Sequence, residues 1–499
     1  VRNPSTTGAQ HTFSQVPPMP HPRSVFNRSC GLKTGFSSGD LIPVFLDETL
    51  PGDTFTMKPT LFIRLATLQK PIMDNIHLDV HYFFVPKRLL WNNFQKFMGE
   101  IEPDDTTDYV IPTCDAPSGG YLEDSLHDFM GIPPGQELTH NNLPVRAYSL
   151  IFNTWYRDQN LVDSVTVDLD DGPDDPADYG ILKRGKRHDY FTSALPWPLK
   201  GGISVEIPLG STAPLSLTGV LDADPTGTPP TFTGTGSGVT RLEGESGTVS
   251  ALWSNDGSFD TTPENADWDD PQLTVDLSAG GGTADLSAAL AADVNDMREA
   301  VASQQLLERE ARSGTRYIEL VKGAFGVSSS DARLQRPEFL GGGTTPIQIN
   351  TVAQTSPAIV AGVAPLAQLG AFGTGVQRNR GFSKTFEEHG YVLGIASVRA
   401  DLTYQQGLDR LWSRSTKFDF PWPEFMNLGE QEILSKEIYA DGSVNDDDVF
   451  GYQERYGEYR YKPSQVTGVM RSSHTQSLDV WNLAQEFSTR PVLGETFIE

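Results

Sequence analysis

The sequence predicts a mainly β protein, and three observations carry that prediction. Glycine and proline, 47 and 35 of 499 residues, make up about a sixth of the chain, a share that demands many turns. Ile76, Leu78, Val80, Tyr82 and Phe84 alternate with His77, Asp79, His81 and Phe83, which is the two-residue period of a strand with one buried face. The last third, from "GYVLGIASVRADLTYQQGL" onward, returns to the same texture. The length suits two or three units or one elaborated domain, and the apolar fraction of 37%, which excludes Gly, is enough for a sizeable core.

The elements follow in order. Residues 1–40 form an irregular arm, with Pro4, Pro17, Pro18, Pro20 and Pro22 and no sustained period. Residues 41–210 begin the β scaffold. Leu50-Pro51-Gly52-Asp53 is a turn between apolar runs, because Pro presets φ and Gly accepts positive φ. Pro86 ends the strand that starts at Ile76. From about 87 to 160, "LLWNNFQKFMGE" and "NNLPVRAYSLIFNTWYRDQN" carry aromatic residues at three- and four-residue spacing, so short helices are expected in an excursion between strands.

Residues 211–290 change character: they are rich in Gly, Thr and Ser, with strand-like fragments "VTRLEGESGTVSALW" and "PQLTVDLSA". Phe232, Trp253, Phe259 and Trp268 lie in this block, and its tryptophans and Phe259 need something to pack on. An inserted subdomain therefore fits better than a plain linker. Residues 291–499 open with a helix capped by Asp293, with Val294, Met297 and Val301 as its apolar stripe and Gly314 at its end, and then resume strands. Tyr459 and Tyr461 are expected on one face of a strand.

Composition excludes several classes. No apolar run approaches the length of a membrane span, and the start lacks a signal-peptide core, so use without signal-directed secretion is expected. Cys30 and Cys114 cannot build a disulfide framework and are expected as buried free thiols. His77 and His81 have the outer spacing of a zinc helix but lie in a strand and lack the following Glu, so they are expected to face solvent or a partner subunit. Gly341-Gly342-Gly343 lacks the helix and lysine of a phosphate loop and is expected as a sharp loop. Asp446-Asp447-Asp448 are the candidates for a structural divalent cation, although the calcium-loop pattern around them is missing. No cofactor is indicated, and no nucleophile elbow occurs.

The charge is uneven. The chain carries a formal -27, yet Lys183, Arg184, Lys186 and Arg187 crowd together, followed by His188, Tyr190 and Phe191. Cations neutralise phosphates and aromatic faces stack on unpaired bases, so single-stranded DNA is one ligand class. A subunit interface is the other, since seven Asp lie just upstream in 163–178. The arm adds Arg2, Arg23 and Arg28 with no acid before Asp40, whereas residues 211–296 hold fourteen acids against Arg241. A basic arm and an acidic block imply two faces with different neighbours.

Long blocks then carry a resemblance: "FNRSCGLKTGFSSGDLIPVFLDETLPGDTF", "PIMDNIHLDVHYFFVPKRLLW", "RGKRHDYFTSALPWPLKG", "FGVSSSDARLQRPEFLGGGTTPI", "EHGYVLGIASVRADLTYQQGLDRLWSR" and "DDDVFGYQERYGEYRYKPSQVTG". In order and across nearly the whole chain, they closely resemble the major capsid protein of gokushovirus-type microviruses, the small tailless bacteriophages with circular single-stranded DNA. The resemblance implies an eight-stranded antiparallel jelly roll with long loop insertions. It implies pentamers and a T=1 icosahedral shell of sixty copies, in a virion assembled in the bacterial host cytoplasm. It implies that the 211–290 insertion is the threefold protrusion, with Phe232, Trp253, Phe259 and Trp268 as candidate receptor contacts, and that the arm lies inside with the genome. Shells of such acidic chains repel DNA at long range, so a small basic DNA-binding virion protein is expected as a partner. The alternative is a carbohydrate-binding protein or glycosidase on the same fold, although no paired carboxylates or aromatic platforms mark one.

Overall fold

The structure is a computed structural model. It describes residues 22–202 except 101 and 103, residue 205, short strands within 215–284, and residues 294–499 except 356–365 and 427. The chain divides into two compact units, residues 1–203 with 307–499 and residues 204–306.

The larger unit is built on a six-stranded, wholly antiparallel sheet. Its spatial order is Ile42–Thr49, Gly390–Ala400, Ile76–Pro86, Glu338–Ala353, Leu369–Arg378, Thr60–Arg64. The strand read from sequence periodicity, Ile76–Pro86, lies inside this sheet. Ile76, Leu78, Val80, Tyr82 and Phe84 point into one core with Val392, Ala396, Val398, Phe382 and Phe386.

The other face is not left to solvent, contrary to the single buried face expected. Phe83 and Val85 enter a second core with Trp91, Leu126, Leu143, Tyr148 and Phe152 from the excursion, and with Leu393 and Ile395. The excursion folds as short helices, Phe94–Phe97, Leu126–Phe129 and Leu143–Ile151, the last continuing through a wider π turn to Tyr156. It is locked by Arg146, whose side chain is fully buried and whose Nε reaches Asp174 Oδ2 at 2.7 Å, while its Nη1 reaches the Leu90 and Asp170 carbonyls at 3.1 and 3.0 Å. Asp170, Asp171 and Asp174 of the acidic run are thus spent on Arg146, Trp91 and Asn93.

Gly341-Gly342-Gly343 is a correction: the triplet lies within the first half of the Glu338–Ala353 strand, not in a loop. The pairing with Ile76–Pro86 shifts register between Phe339 and Gly341, which marks a bulge. Gly342 has φ +149°, and a Cβ there would lie 2.1 Å from the Val80 carbonyl oxygen, so the sheet needs glycine at this point.

A third core joins Tyr190, Phe191, Tyr404, Ile433, Ile438, Phe450 and the C-terminal Phe497 and Ile498. The helix predicted after residue 290 spans Val294–Ser313 and is followed by Gly314 at φ +105°. Asp293 lies outside the described residues, and Met297 and Val301 are half exposed. Residues 457–459 form a 3-10 turn, so Tyr459 and Tyr461 do not share a strand face. In the smaller unit, Thr240–Glu243, Val249–Trp253 and Phe259–Asp260 form a three-stranded antiparallel sheet with Trp253 opposite Phe259. Phe232, Trp268 and the "PQLTVDLSA" fragment lie outside the described residues.

Candidate nucleic-acid and assembly interfaces

The basic stretch is threaded between two parts of the larger unit. Leu41 N–H donates to the Leu182 carbonyl at 2.9 Å and Arg184 N–H to the Gly39 carbonyl at 2.7 Å, which holds the stretch against the end of the arm. Lys186 N–H donates to the Ile498 carbonyl at 2.7 Å, which ties it to the C-terminal turn.

Its side chains then turn inward. Arg184 Nη1 donates to Asp79 Oδ2 at 2.8 Å and to Ser397 Oγ at 2.7 Å. Arg399 Nη2 reaches the same Asp79 oxygen at 3.0 Å, and its Nη1 donates to the Gly185 carbonyl at 2.8 Å. Arg187 pairs with Asp401 at 2.8 Å. Lys186 Nζ donates to the Phe497 carbonyl at 2.6 Å and sits over the Phe497 ring. The cations answer Asp79 and Asp401, not the aspartates at 163–178.

The electrostatics follow from burial. Burial alone would raise the Asp79 carboxyl, but the Thr344 hydroxyl and the Arg184 and Arg399 guanidinia more than offset it and hold the pKa below the ordinary range. His81 is pushed down to about 4, first by burial and then by Arg184. Its Nδ1 shares a 3.0 Å hydrogen bond with the Tyr156 hydroxyl. Burial lowers the Lys186 ammonium, although Asp189 opposes the shift. Asp79 and His81 therefore face the cation network rather than solvent, against the exposed position expected for this row, and His77 lies on the same face beside Asp401. The strand register explains why: Ser397 is opposite Asp79 and Arg399 opposite His77, so two polar rows share one sheet face.

Tyr190 and Phe191 are 4% and 3% exposed and belong to the third core, so their faces are not open to bases. Tyr190 Oη contacts Glu437 Oε2 at 3.3 Å, and the Phe191 ring meets Tyr404 edge-on at 4.9 Å. Of the basic stretch, Lys183 and His188 remain exposed. In the arm, Arg28 pairs with Asp47 at 2.8 Å, Arg23 donates to the Gly52 carbonyl, and Arg2 lies outside the described residues. Cys30 is exposed, against expectation, while Cys114 is buried.

The aspartate triplet does not converge. Asp446 accepts from Arg490 at 2.8 Å and from the Gly442 amide at 2.9 Å, Asp447 pairs with Lys436, and the Asp448 carbonyl accepts from Ser435 N–H. Arginine and lysine charges stand where a divalent cation would have to be.

Sequence reasoning missed the segment 408–428. It carries Leu411, Trp412, Phe418, Phe420 and Trp422 outward, with Trp412 73% exposed. Its turns are short 3-10 pieces at Arg410–Trp412, Lys417–Asp419 and Pro423–Phe425. An aromatic surface of this kind on a β scaffold is uncommon on a monomer and marks an interaction face. The crowding of Trp412, Phe418, Phe420, Trp422 and Phe425 within "RLWSRSTKFDFPWPEF" was the available signal.

A mostly β, antiparallel scaffold with few helices, Arg184, Lys186 and Arg187 of its basic stretch paired internally and its aromatic segment 408–428 uncovered, fits a structural protein of the self-associating class. The chain belongs to the family described as "Capsid protein (F protein)", whose model matches residues 14–499. It is 49% identical over 498 residues to capsid protein VP1 of Bdellovibrio phage phiMH2K, covering 98% of this chain and 90% of that protein. It is 40% identical over 549 residues to capsid protein VP1 of Chlamydia phage 1, covering 98% and 91%. The corresponding protein of Spiroplasma virus 4 is 35% identical over 505 residues, covering 98% and 90%. The role is that of a structural major capsid protein of the microvirus type, located in the virion. Nothing in the comparisons supports a lectin or glycosidase.

Proposed function

We propose that sixty copies of this chain, joined first as pentamers, close a T=1 shell around circular single-stranded DNA, and that the scaffold is an eight-stranded jelly roll. The observation that carries the assembly reading is the uncovered aromatic segment 408–428, which needs another surface to remove it from water. Assembly takes place in the host cytoplasm. The insertion at 211–290 supplies the threefold protrusion and the host-attachment surface, with Phe232, Trp253, Phe259 and Trp268 as its aromatic contacts. Its acid excess suits an outer, hydrated position and keeps like charge away from the genome.

DNA contact falls to the side chains of the basic stretch left exposed, Lys183 and His188, with Arg23, Arg28 and Arg2 of the arm contributing once the chain faces the lumen. Arg184, Lys186 and Arg187 act as their scaffold. A separate small basic protein offsets the remaining repulsion, because a formal -27 on every subunit cannot neutralise phosphates. The test is to express Lys183→Glu/His188→Glu in an otherwise complete phage and compare particle yield with encapsidated DNA. Normal particles with reduced genome content are expected. A full genome complement in those particles removes the DNA assignment and leaves assembly untouched.

A further inference from the structure

We propose that Cys114, His127 and His140 form a metal site of the zinc type that clamps the base of the 116–138 loop. No property of the shell requires it; the geometry of the larger unit alone points to it.

Cys114 and His140 are direct partners across the antiparallel pair Thr113–Asp115 and Thr139–Asn141. The chain between them turns back on itself, so that His127, in the short helix Leu126–Phe129, arrives at the same point. One donor atom from each of the three lies within 4.8 Å of the other two. Cys114 is 0% and His127 2% exposed. His127 Nε2 has no hydrogen-bond partner among the described residues. An orphaned buried nitrogen costs about 1–3 kcal/mol, and a metal ion is the ligand that would satisfy an imidazole lone pair at that place.

The surroundings are built around the cluster. The Tyr121 ring stacks on His127 with centroids 3.8 Å apart and planes within 7°. Its hydroxyl reaches His140 Nε2 at 2.8 Å and Cys114 Sγ at 3.5 Å, which makes it the nearest oxygen donor for a fourth position. His140 Nδ1 lies 3.2 Å from the Asn141 carbonyl; donation there leaves the Nε2 lone pair, which the Tyr121 hydroxyl meets in the metal-free site, to turn to a metal, the arrangement metal-bound imidazoles use. The limbs of the loop meet at Gly120, where a Cβ would lie 2.2 Å from the Gln136 nitrogen, and Gly135 N–H donates to the Tyr121 carbonyl at 2.9 Å.

The donor set selects the ion. A thiolate with two imidazoles suits zinc and rejects calcium and magnesium, which take oxygen ligands. Zinc bonds of about 2.3 Å to sulfur and about 2.0 Å to nitrogen require donors under about 4 Å apart, so the site must contract modestly on loading. Closing a long loop at its midpoint and base removes conformational freedom from the unfolded chain, which is the gain such a clip brings.

The experiment uses the full-length chain in a Cys30→Ser background, where Cys114 is the remaining thiol. After chelator treatment the protein is titrated with Co²⁺ and, separately, Zn²⁺, with bound metal measured by mass spectrometry. One equivalent per chain and a cobalt–thiolate charge-transfer band are expected. Tyr121→Phe, which keeps all three ligands, should bind about tenfold more weakly, and Cys114→Ser or His127→Gln about 100-fold or more. Substoichiometric metal without a thiolate band in the Cys30→Ser protein overturns the proposal, and so does binding that Cys114→Ser leaves unchanged. Where a ligand variant fails to fold, the cobalt spectrum of the Cys30→Ser protein decides alone.

Discussion

Asp79 is the residue on which the basic turn depends. Its carboxylate is 5% exposed and binds Arg184 and Arg399 together. Removing it strands two partly buried guanidinia, so Asp79→Ala should lose about 3–5 kcal/mol of stability in urea titration. Because its folded pKa is lowered, the stabilisation is present above the ordinary carboxylate range and disappears as pH falls through the folded value. His81 acts over a different window. It is faced by Arg184, Arg399, Asp79 and Tyr156, and its pKa lies at about 4 instead of 6.5. The unfolded chain therefore binds the extra proton, and stability should fall by up to about 3 kcal/mol as pH drops from 6.5 to 4. His81→Gln should flatten that slope in denaturation curves taken across the interval; an unchanged slope assigns it to other groups. Lys186 is held in a similar way, its Nζ donating to the Phe497 carbonyl at 2.6 Å. A carboxylate there would face the Phe497 carbonyl, and the expected result is a damaged fold rather than a pure packaging defect.

At the scale of elements, the period of Ile76–Pro86 was legible because one face of that strand is uniformly apolar. The burial of its second face was not, since Trp91, Tyr148 and Phe152 come from an excursion whose docking has no local signature. Gly341-Gly342-Gly343 resembled a loop because glycine usually serves turns; here it serves close approach between strands. Gly342→Ala should cost more than the ordinary glycine-to-alanine strand change, about 2 kcal/mol or more, visible as a lowered thermal midpoint. The 408–428 segment gives the opposite expectation. Trp412→Ser with Phe420→Ser should leave the isolated subunit's thermal midpoint unchanged within a few degrees but reduce particle yield strongly in sedimentation. Normal yield would mean that this face is not buried in the shell.

For the whole molecule, the two units set separate expectations. The three hydrophobic cores described above belong to the larger unit. Replacing 211–290 by a short Gly/Ser linker should therefore preserve that unit's calorimetric transition while abolishing host adsorption; retained adsorption would detach the insertion from attachment. The sequence by itself determined the β class, the alternating strand, the helix ending at Gly314, the charge asymmetry and, through its long blocks, the capsid resemblance. These are written in periodicity, composition and contiguous residues. Only the tertiary structure decided that Arg184 and Arg187 answer Asp79 and Asp401, that Tyr190 and Phe191 are core, and that Cys114, His127 and His140 converge. Each of those depends on which distant segments folding brings together, strand register for Asp79 and for Cys114 with His140 and loop docking for the rest, and a linear chain carries no mark of its partners until it is folded.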